Sequence, residues 1–441
     1  MARDPNDRRS TRPAVTDGGD RDGSGGAGAS SDGARRGNRT FVHGFDAEAS
    51  PEFRERDERS LGQLATGPEE PGGVGKRLAG LPARTVVSAV ALLALAALFC
   101  YDAFVVHVYL VPAWEWDPTR SDWLFLASLW LLGTLASRLV PNRELAARYW
   151  HRLSEDTGAT LALAALAAFF LVGVVGPPLV GSPSADPLLG GQPPVGLSVD
   201  TDGIASCAGQ VTGDRCQGSL AHPLGTDGLG FDVLTLLVAG TRLALYVAVI
   251  SAAIVVPLGA IVGATAGFYG GRIDAVLSRY VDVQQTIPAI VAYVVLVLVV
   301  EKSLFMLVLV FGLFSWGGVA RVVRAETRQR RDEEYVRAAQ ALGGAPGYRL
   351  RRHVLPNVSH GIVTAFGQQV PLLLVTEAAI AYLQLNDVDQ PSWGELIATG
   401  IQFGVTSQWW VATSGVVALA GTTLAFKLAA DALRDALDPT G

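Results

Sequence analysis

Lysine is nearly absent from this 441-residue chain: of 35 lysines and arginines together, only Lys76, Lys302 and Lys427 are lysine. Cysteine is scarce at three and methionine at two. So few cysteines cannot staple a chain of this length, and the six histidines are scattered, so no Cys/His zinc pattern forms. There is no HExxH pair and no nucleophile elbow. The stretch GGVGKR at 72–77 is not a phosphate loop, because the required first glycine falls at Glu70 and Lys76 is followed by Arg77. Asp200, Asp202 and Gly203 lack the further acids of a calcium loop. No secretory signal pattern is present, since the first apolar run begins near residue 85. The chain is therefore expected to have no catalytic residues and to bind no metal or cofactor. Its acidic, lysine-poor balance, with net charge -6, is that expected of a protein adapted to high salt.

What the chain has in abundance is apolar sequence, 49% of residues, gathered in long uncharged runs. Runs of about 18 residues or more are long enough to cross a bilayer as helix. The expected fold is an all-α polytopic membrane protein with about eight spans, near 85–112, 122–140, 158–180, 244–268, 280–300, 303–321, 360–383 and 407–430. Residues 231–243 are expected to form a lead-in helix. Residues 1–80, rich in Gly, Asp, Arg, Ser and Pro, cannot bury enough apolar area to offset chain entropy and are expected to be disordered.

Charge orients the spans, because Lys and Arg are retained on the cytoplasmic side. With the N-terminus inside, Lys76, Arg77, Arg84, Arg138, Arg143, Arg148, Arg152, Arg272, Arg279, the arginines from Arg321 to Arg352, and Arg434 all fall inside. The outer segments 113–121, 181–230 and 384–406 hold few basic residues. Both termini are thus expected to be cytoplasmic.

The polar island at 321–357 reads RVVRAETRQRRDEEYVRAAQALGGAPGYRLRRHVLPN. Tyr335, Ala338, Ala339 and Leu342 recur at helical spacing and form one small apolar stripe. Asp332 and Glu333 favour the start of that helix, Gly343 and Gly344 its end, and Pro346 can open a further turn. A short amphipathic helix between spans reads as a docking element for a soluble partner.

At these residues the chain resembles the importer permeases of the ATP-binding-cassette type, dipeptide/oligopeptide/nickel branch. Ala338, Ala339, Gly343, Leu355 and Pro356 match the loop by which such permeases engage their ATPases. HPLGTDGLGFDV at 222–233, TEAAIAYLQL at 376–385, PSWGELI at 391–397 and DALRDALDP at 431–439 also match, in order. Two positions depart: Arg337 stands at an acidic position of the loop, and Phe231 where an arginine is common in that branch.

The expected layout is a disordered cytoplasmic tail (1–80), three N-terminal spans (85–180), an extracellular segment (181–235) and the permease domain (236–441) with its cytoplasmic coupling loop (322–358); because the resembled branch typically has six spans, spans two and three, or one and two, read as an extra hairpin. The core would be the last five spans with one upstream span. The resemblance implies a non-enzymatic subunit that moves peptides or a related small solute by alternating access. Its partners would be a second, homologous permease, two cytosolic ATPases that use ATP and Mg, an extracellular solute-binding protein and membrane lipid, with no nucleic acid. Glu334, Tyr335, Ala338, Ala339, Gly343, Leu355 and Pro356 would couple to the ATPases. An ion-gradient transporter would need several intramembrane acids and an internal repeat, and one clear acid and no repeat are visible. A non-transporting scaffold or sensor would account for the hairpin and tail but not for the matching segments.

Other residues carry two readings each. Gly259, Gly263 and Gly267 let a helix approach closely, for static packing or for a hinge. Pro288 and Pro371 interrupt spans, as a static bend or as a flexing point on the translocation path. Glu377, with Gln368, Gln369 and Thr376, faces the pathway or forms a buried hydrogen-bond hub. Trp393, Trp409 and Trp410 fit the headgroup boundary. Cys100 reads as an inert buried thiol. Cys207 and Cys216 are either a disulfide, contributing on the order of 2–3 kcal/mol to local order, or two free thiols.

Overall fold

The computed structural model describes residues 83–105, 118–139, 143–386, 390–404 and 407–437. The tail 1–80, the decoy glycines at 72–77 and most of 113–121 lie outside the described residues.

Four helices precede the segment 181–232, called the outer segment for its expected side: α1 (Ala83–Phe104), α2 (Arg120–Leu139), α3 (Arg143–Glu155) and α4 (Thr157–Val180). After it come α5 (Val233–Tyr269), α6 (Gly271–Thr286), α7 (Ala289–Val297), α8 (Leu304–Phe314), α9 (Gly317–Arg331), α10 (Glu334–Ala341), α11 (Pro346–Arg349), α12 (Ser359–Tyr382), α13 (Trp393–Gln402) and α14 (Trp409–Leu437). Among the described residues, six helical stretches are long and apolar enough to cross a membrane: α1, α4, α5, α8 with α9, α12 and α14. A seventh is the pair α6 and α7, bent by 61° at their junction. The remaining expected span is α2, which carries Arg120, Asp122 and Arg138 and so falls short of that apolarity.

The mast of the bundle is α5, of 37 residues and so about 55 Å long. The expected lead-in helix and fourth span are one continuous helix. Asp232 caps it by accepting from the Thr235 N–H at 2.9 Å. Gly240, the first break in the apolar run, packs directly on Trp393 instead of ending the helix. The helix itself opens at Val233, three residues before the expected start of the permease domain at 236. Pro371 does not end α12 either, which runs unbroken from Ser359 to Tyr382. Pro288 does sit at a break, as the residue immediately before α7.

Packing separates core from addition. α4 lies against α5 and α14, whereas α1 lies against α2 and buries none of its apolar stretch in the protein. Cys100, on α1, is exposed rather than buried. The α1–α2 hairpin meets the mast through α2, where Phe125, Leu124 and Leu132 join the main core and a polar cluster ties the two helices. Asp122 accepts from Arg242 at 2.8 Å, from the Tyr246 hydroxyl and from Thr119, while Phe125 stacks on Tyr246 with centroids 4.5 Å apart.

The outer segment is folded. Strands β1 (Ser198–Asp200), β2 (Val211–Thr212) and β3 (Arg215–Gln217) form an antiparallel sheet in the order β1-β3-β2. Cys207 and Cys216 are joined by a disulfide across this unit. The segment HPLGTDGLGFDV turns the chain into α5. Buried Asp227 accepts from the amides of Leu229 and Phe231 at 2.9 and 2.8 Å, and His222 contacts the capping Asp232 at 3.1 Å. Burial raises the Asp227 carboxyl above its ordinary value, against the opposing pull of those backbone amides. Trp410, opening α14, donates to the Thr226 carbonyl at 3.2 Å and ties the segment to that end of the bundle.

Candidate functional site

The loop at 332–358 lies at the opposite end of the mast, where Arg331 donates to the Gly267 carbonyl at 3.2 Å near the C-terminus of α5. From there α10 leaves the bundle. Its one buried side chain, Val336, is 1% exposed and packs with buried Val354 and Val358 and with Phe268, Leu350 and Ile362. Ridge and anchor point different ways. Val336 faces inward, while Ala338 is exposed, Leu342 is 89% exposed and Tyr335 38%. Ala339, next to this ridge, is half-buried. So the stripe visible in the sequence is bare, and the holding residue lies outside it. Glu334 and Arg337 are also exposed. Partial burial raises the Tyr335 phenol above its ordinary value.

The exit from α10 needs glycine. Gly343 has φ 81°, and the Gly343 and Gly344 amides donate back to the carbonyls of Gln340 and Ala339, both at 2.9 Å. Pro346 then opens α11, and a wide turn over Leu350–Val354 and a tight one over Leu355–Val358, with Pro356 in its first turn, return the chain to α12. Arg349 braces the loop by donating to the Gln340 side chain at 2.5 Å and lying over the Phe268 ring at 5.6 Å.

The helix feeding α10 is α9, and the three spaced glycines of α5 receive it. A methyl group on Gly259 would lie 2.7 Å from the Val319 Cβ, and one on Gly267 2.6 Å from the Arg324 carbonyl; Gly263 meets Ala320 in the same way. Close approach of these two backbones is the geometric role of the stripe. Sequence reading missed a second tie. Arg324 grips Asp274 of α6 through both guanidinium nitrogens facing it, the Nη2–Oδ2 bond being 2.8 Å, and Arg321 reaches Asp282 at 2.9 Å. Opposite charges in two separate expected inside segments, one before the 280–300 span and one after the 303–321 span, were the available signal, but nothing in the sequence paired them.

Glu377 and Gln368 were expected on one polar side of a span. They are nine residues apart, roughly two and a half turns, so they point in opposite directions. Glu377 is 2% exposed, beside the Ser392 hydroxyl and near Glu395 of α13, where Gly394 packs on the Ala378 backbone without room for a side chain. Gln368 opens instead onto a groove of about 430 Å³ between α12 and α14, with Thr364, Thr423, Lys427 and Asp431. Trp393 is buried in the core and donates to the Leu237 carbonyl at 3.1 Å, which a headgroup-boundary position does not require. Ser392 caps α13 by accepting from the Gly394 amide at 3.0 Å. Among the described residues no cluster of acids, histidines and cysteines could hold a metal ion.

Known proteins resemble this chain over the same region. Residues 234–440 match the family described as binding-protein-dependent transport system inner membrane component. The oligopeptide transport system permease protein OppC of Bacillus subtilis (strain 168) is 33% identical over 221 residues, 49% of this chain and 72% of that protein. The dipeptide transport system permease protein DppC of the same organism is 29% identical over 301 residues, 68% of this chain and 87% of that protein. The glutathione transport system permease protein GsiD of Pectobacterium atrosepticum is 32% identical over 222 residues, half of this chain and 73% of that protein. The chain belongs to this family: it is a multi-span membrane permease of the ABC importer type, in the peptide branch.

Proposed function

We propose that this chain imports peptides or a related small solute as one half of a permease pair, driven by separate ATPase subunits that bind ATP and Mg. Carrying the reading is the bare ridge of α10, with Tyr335, Ala338 and Leu342 outward and Val336 inward. A short helix held by its back and uncovered on its small-residue face is shaped to enter a groove of a partner. Glu334 and Ala339 border that ridge, Gly343 gives the sharp exit, and Leu355 and Pro356 set the return.

Solute would be delivered by an extracellular binding protein to the end of the bundle that carries the disulfide-bonded segment. Closure of the ATPases around nucleotide would shift α10, and the pair of permeases would change from one access state to the other. Such a shift requires α10 to contact the open and closed ATPases differently. Relatives named for oligopeptides, dipeptides and glutathione support a peptidic cargo. The arginines on α9 and α10 support a cytoplasmic position for this loop, and with it cytoplasmic termini.

Gln368, on the open groove, is the better candidate to face the second permease and the pathway, with Pro288 at the bend of α6–α7. Glu377 fits a buried hub joining α12 to α13. The test is uptake of a labelled dipeptide by vesicles containing the whole complex. ATP-dependent accumulation that stops in Gly343→Val is expected; accumulation driven by an ion gradient without ATP would overturn the reading.

A further inference from the structure

We propose that Arg324 is a positioning residue for transport: it makes α6 travel with α9, so that motion entering at α10 is delivered to the bend at Ile287–Pro288. This rests on the docking of α10 proposed above and adds the route that the motion takes.

The route is built from contacts of unequal kind. α10 follows α9 after only Asp332 and Glu333, so a displacement of α10 pulls on α9 directly. α9 lies on the inner half of α5 through the three glycines, an approach that leaves no slack for sliding. Arg324 then reaches across to α6 and holds Asp274 with two parallel N–H···O bonds, while Ser278 adds a third donor to the same carboxylate at 3.2 Å. Two-point Arg–carboxylate contact fixes orientation as well as distance. The Arg321–Asp282 pair is more than half exposed on both sides and is expected to add little. Gln284 closes the unit by donating to the Leu313 carbonyl at 3.3 Å, at the α8–α9 junction.

Gln285 also lies against Gly317 of α9, and just beyond it the helix breaks. The α6 ladder ends with the Ile287 amide on the Gln284 carbonyl at 3.4 Å; Pro288 has no N–H to continue it, and α7 leaves at 61°. α7 packs instead on α8, and Tyr293 donates to the Leu385 carbonyl at 3.0 Å. The inner body therefore comprises α9, the inner half of α5, and α6. The outer body holds α7, and the bend is where they meet.

The experiment uses the full complex of both permeases, ATPases and binding protein in nanodiscs. Spin labels are placed at exposed Val276 of α6 with Ala325 of α9, and at Val276 with Val295 of α7. On trapping with ATP, the first distance is expected to stay constant and the second to change. A change in the first distance overturns the inference and leaves the docking reading standing; constancy of both overturns the two together. In parallel, Arg324→Gln is expected to keep ATPase association and ATP hydrolysis, yet raise the ATP consumed per solute imported at least tenfold. Arg324→Lys, which retains the charge but makes only a one-point contact, is expected to restore only a minor part of that ratio. A wild-type ratio in Arg324→Gln would contradict a positioning role.

Discussion

A side chain on Gly267 would collide with the Arg324 carbonyl, since even a methyl carbon would come within 2.6 Å of it. The residue that grips α6 thus sits at the place where α5 and α9 are in backbone contact. Enlarging Gly267 to Leu must separate the helices and disturb Arg324. A loss of about 1–3 kcal/mol, usual for overpacking, is expected as a lowered Tm of the purified complex, together with weakened coupling of ATP hydrolysis to uptake.

Gly343 is tested through its backbone. At φ 81° an L-residue with a Cβ meets a cost of roughly 1–2 kcal/mol. Gly343→Val is expected to insert and fold as wild type by span protection, since no neighbour crowds the position. Its uptake should fall to background, because α10 would no longer exit at the right angle. Gly347→Val, equally open and in the same loop but without positive φ, should retain uptake.

The disulfide closes a loop between Cys207 and Cys216, nine residues apart. Replacing both by serine should lower the local stability of the outer segment by on the order of 2–3 kcal/mol. Hydrogen exchange of residues 198–217 is expected to quicken accordingly, while exchange in α10 stays unchanged.

Asp227 gives the outer segment a pH dependence with a definite sign. Its carboxyl is raised in the folded protein by burial, so the unfolded chain loses that proton first as pH rises. Folding stability from this group is therefore complete at low pH and declines from about pH 4 upward, until the raised folded value is passed. Exchange protection of residues 186–232 should fall over that range in wild type and be flatter in Asp227→Asn.

Much of the membrane architecture is legible in the sequence because span length and apolarity are local properties. The stretch 244–268 reads as a membrane span from composition alone, though not its continuity back to Val233, and the helix Glu334–Ala341 reads from the spacing of its stripe. Contacts between distant segments are not local, and there the sequence falls silent. Val336 looks like any valine until it is seen to be the buried side chain that seats α10 on the bundle. Asp274 and Arg324 lie 50 residues apart and are joined only because Gly270 and Gly271, both at positive φ, turn α6 back against α9. Glu377 and Gln368 seem to belong together in a one-dimensional reading, and helical geometry places them on opposite faces. The helix α3 escaped because its charges, Arg148, Arg152 and Glu155 among them, read as a loop between spans.

The central claim is that the outward ridge of α10 enters a groove of the ATPase. It is tested most directly by placing a cysteine at Ala338, with Cys100, Cys207 and Cys216 replaced, and adding a short bifunctional thiol cross-linker to the whole complex. Position 338 is expected to join an ATPase subunit, and a cysteine at Val336, on the buried face, is not. A complex that transports normally, with position 338 never joined to an ATPase and freely modified by bulky reagents throughout turnover, would contradict the account.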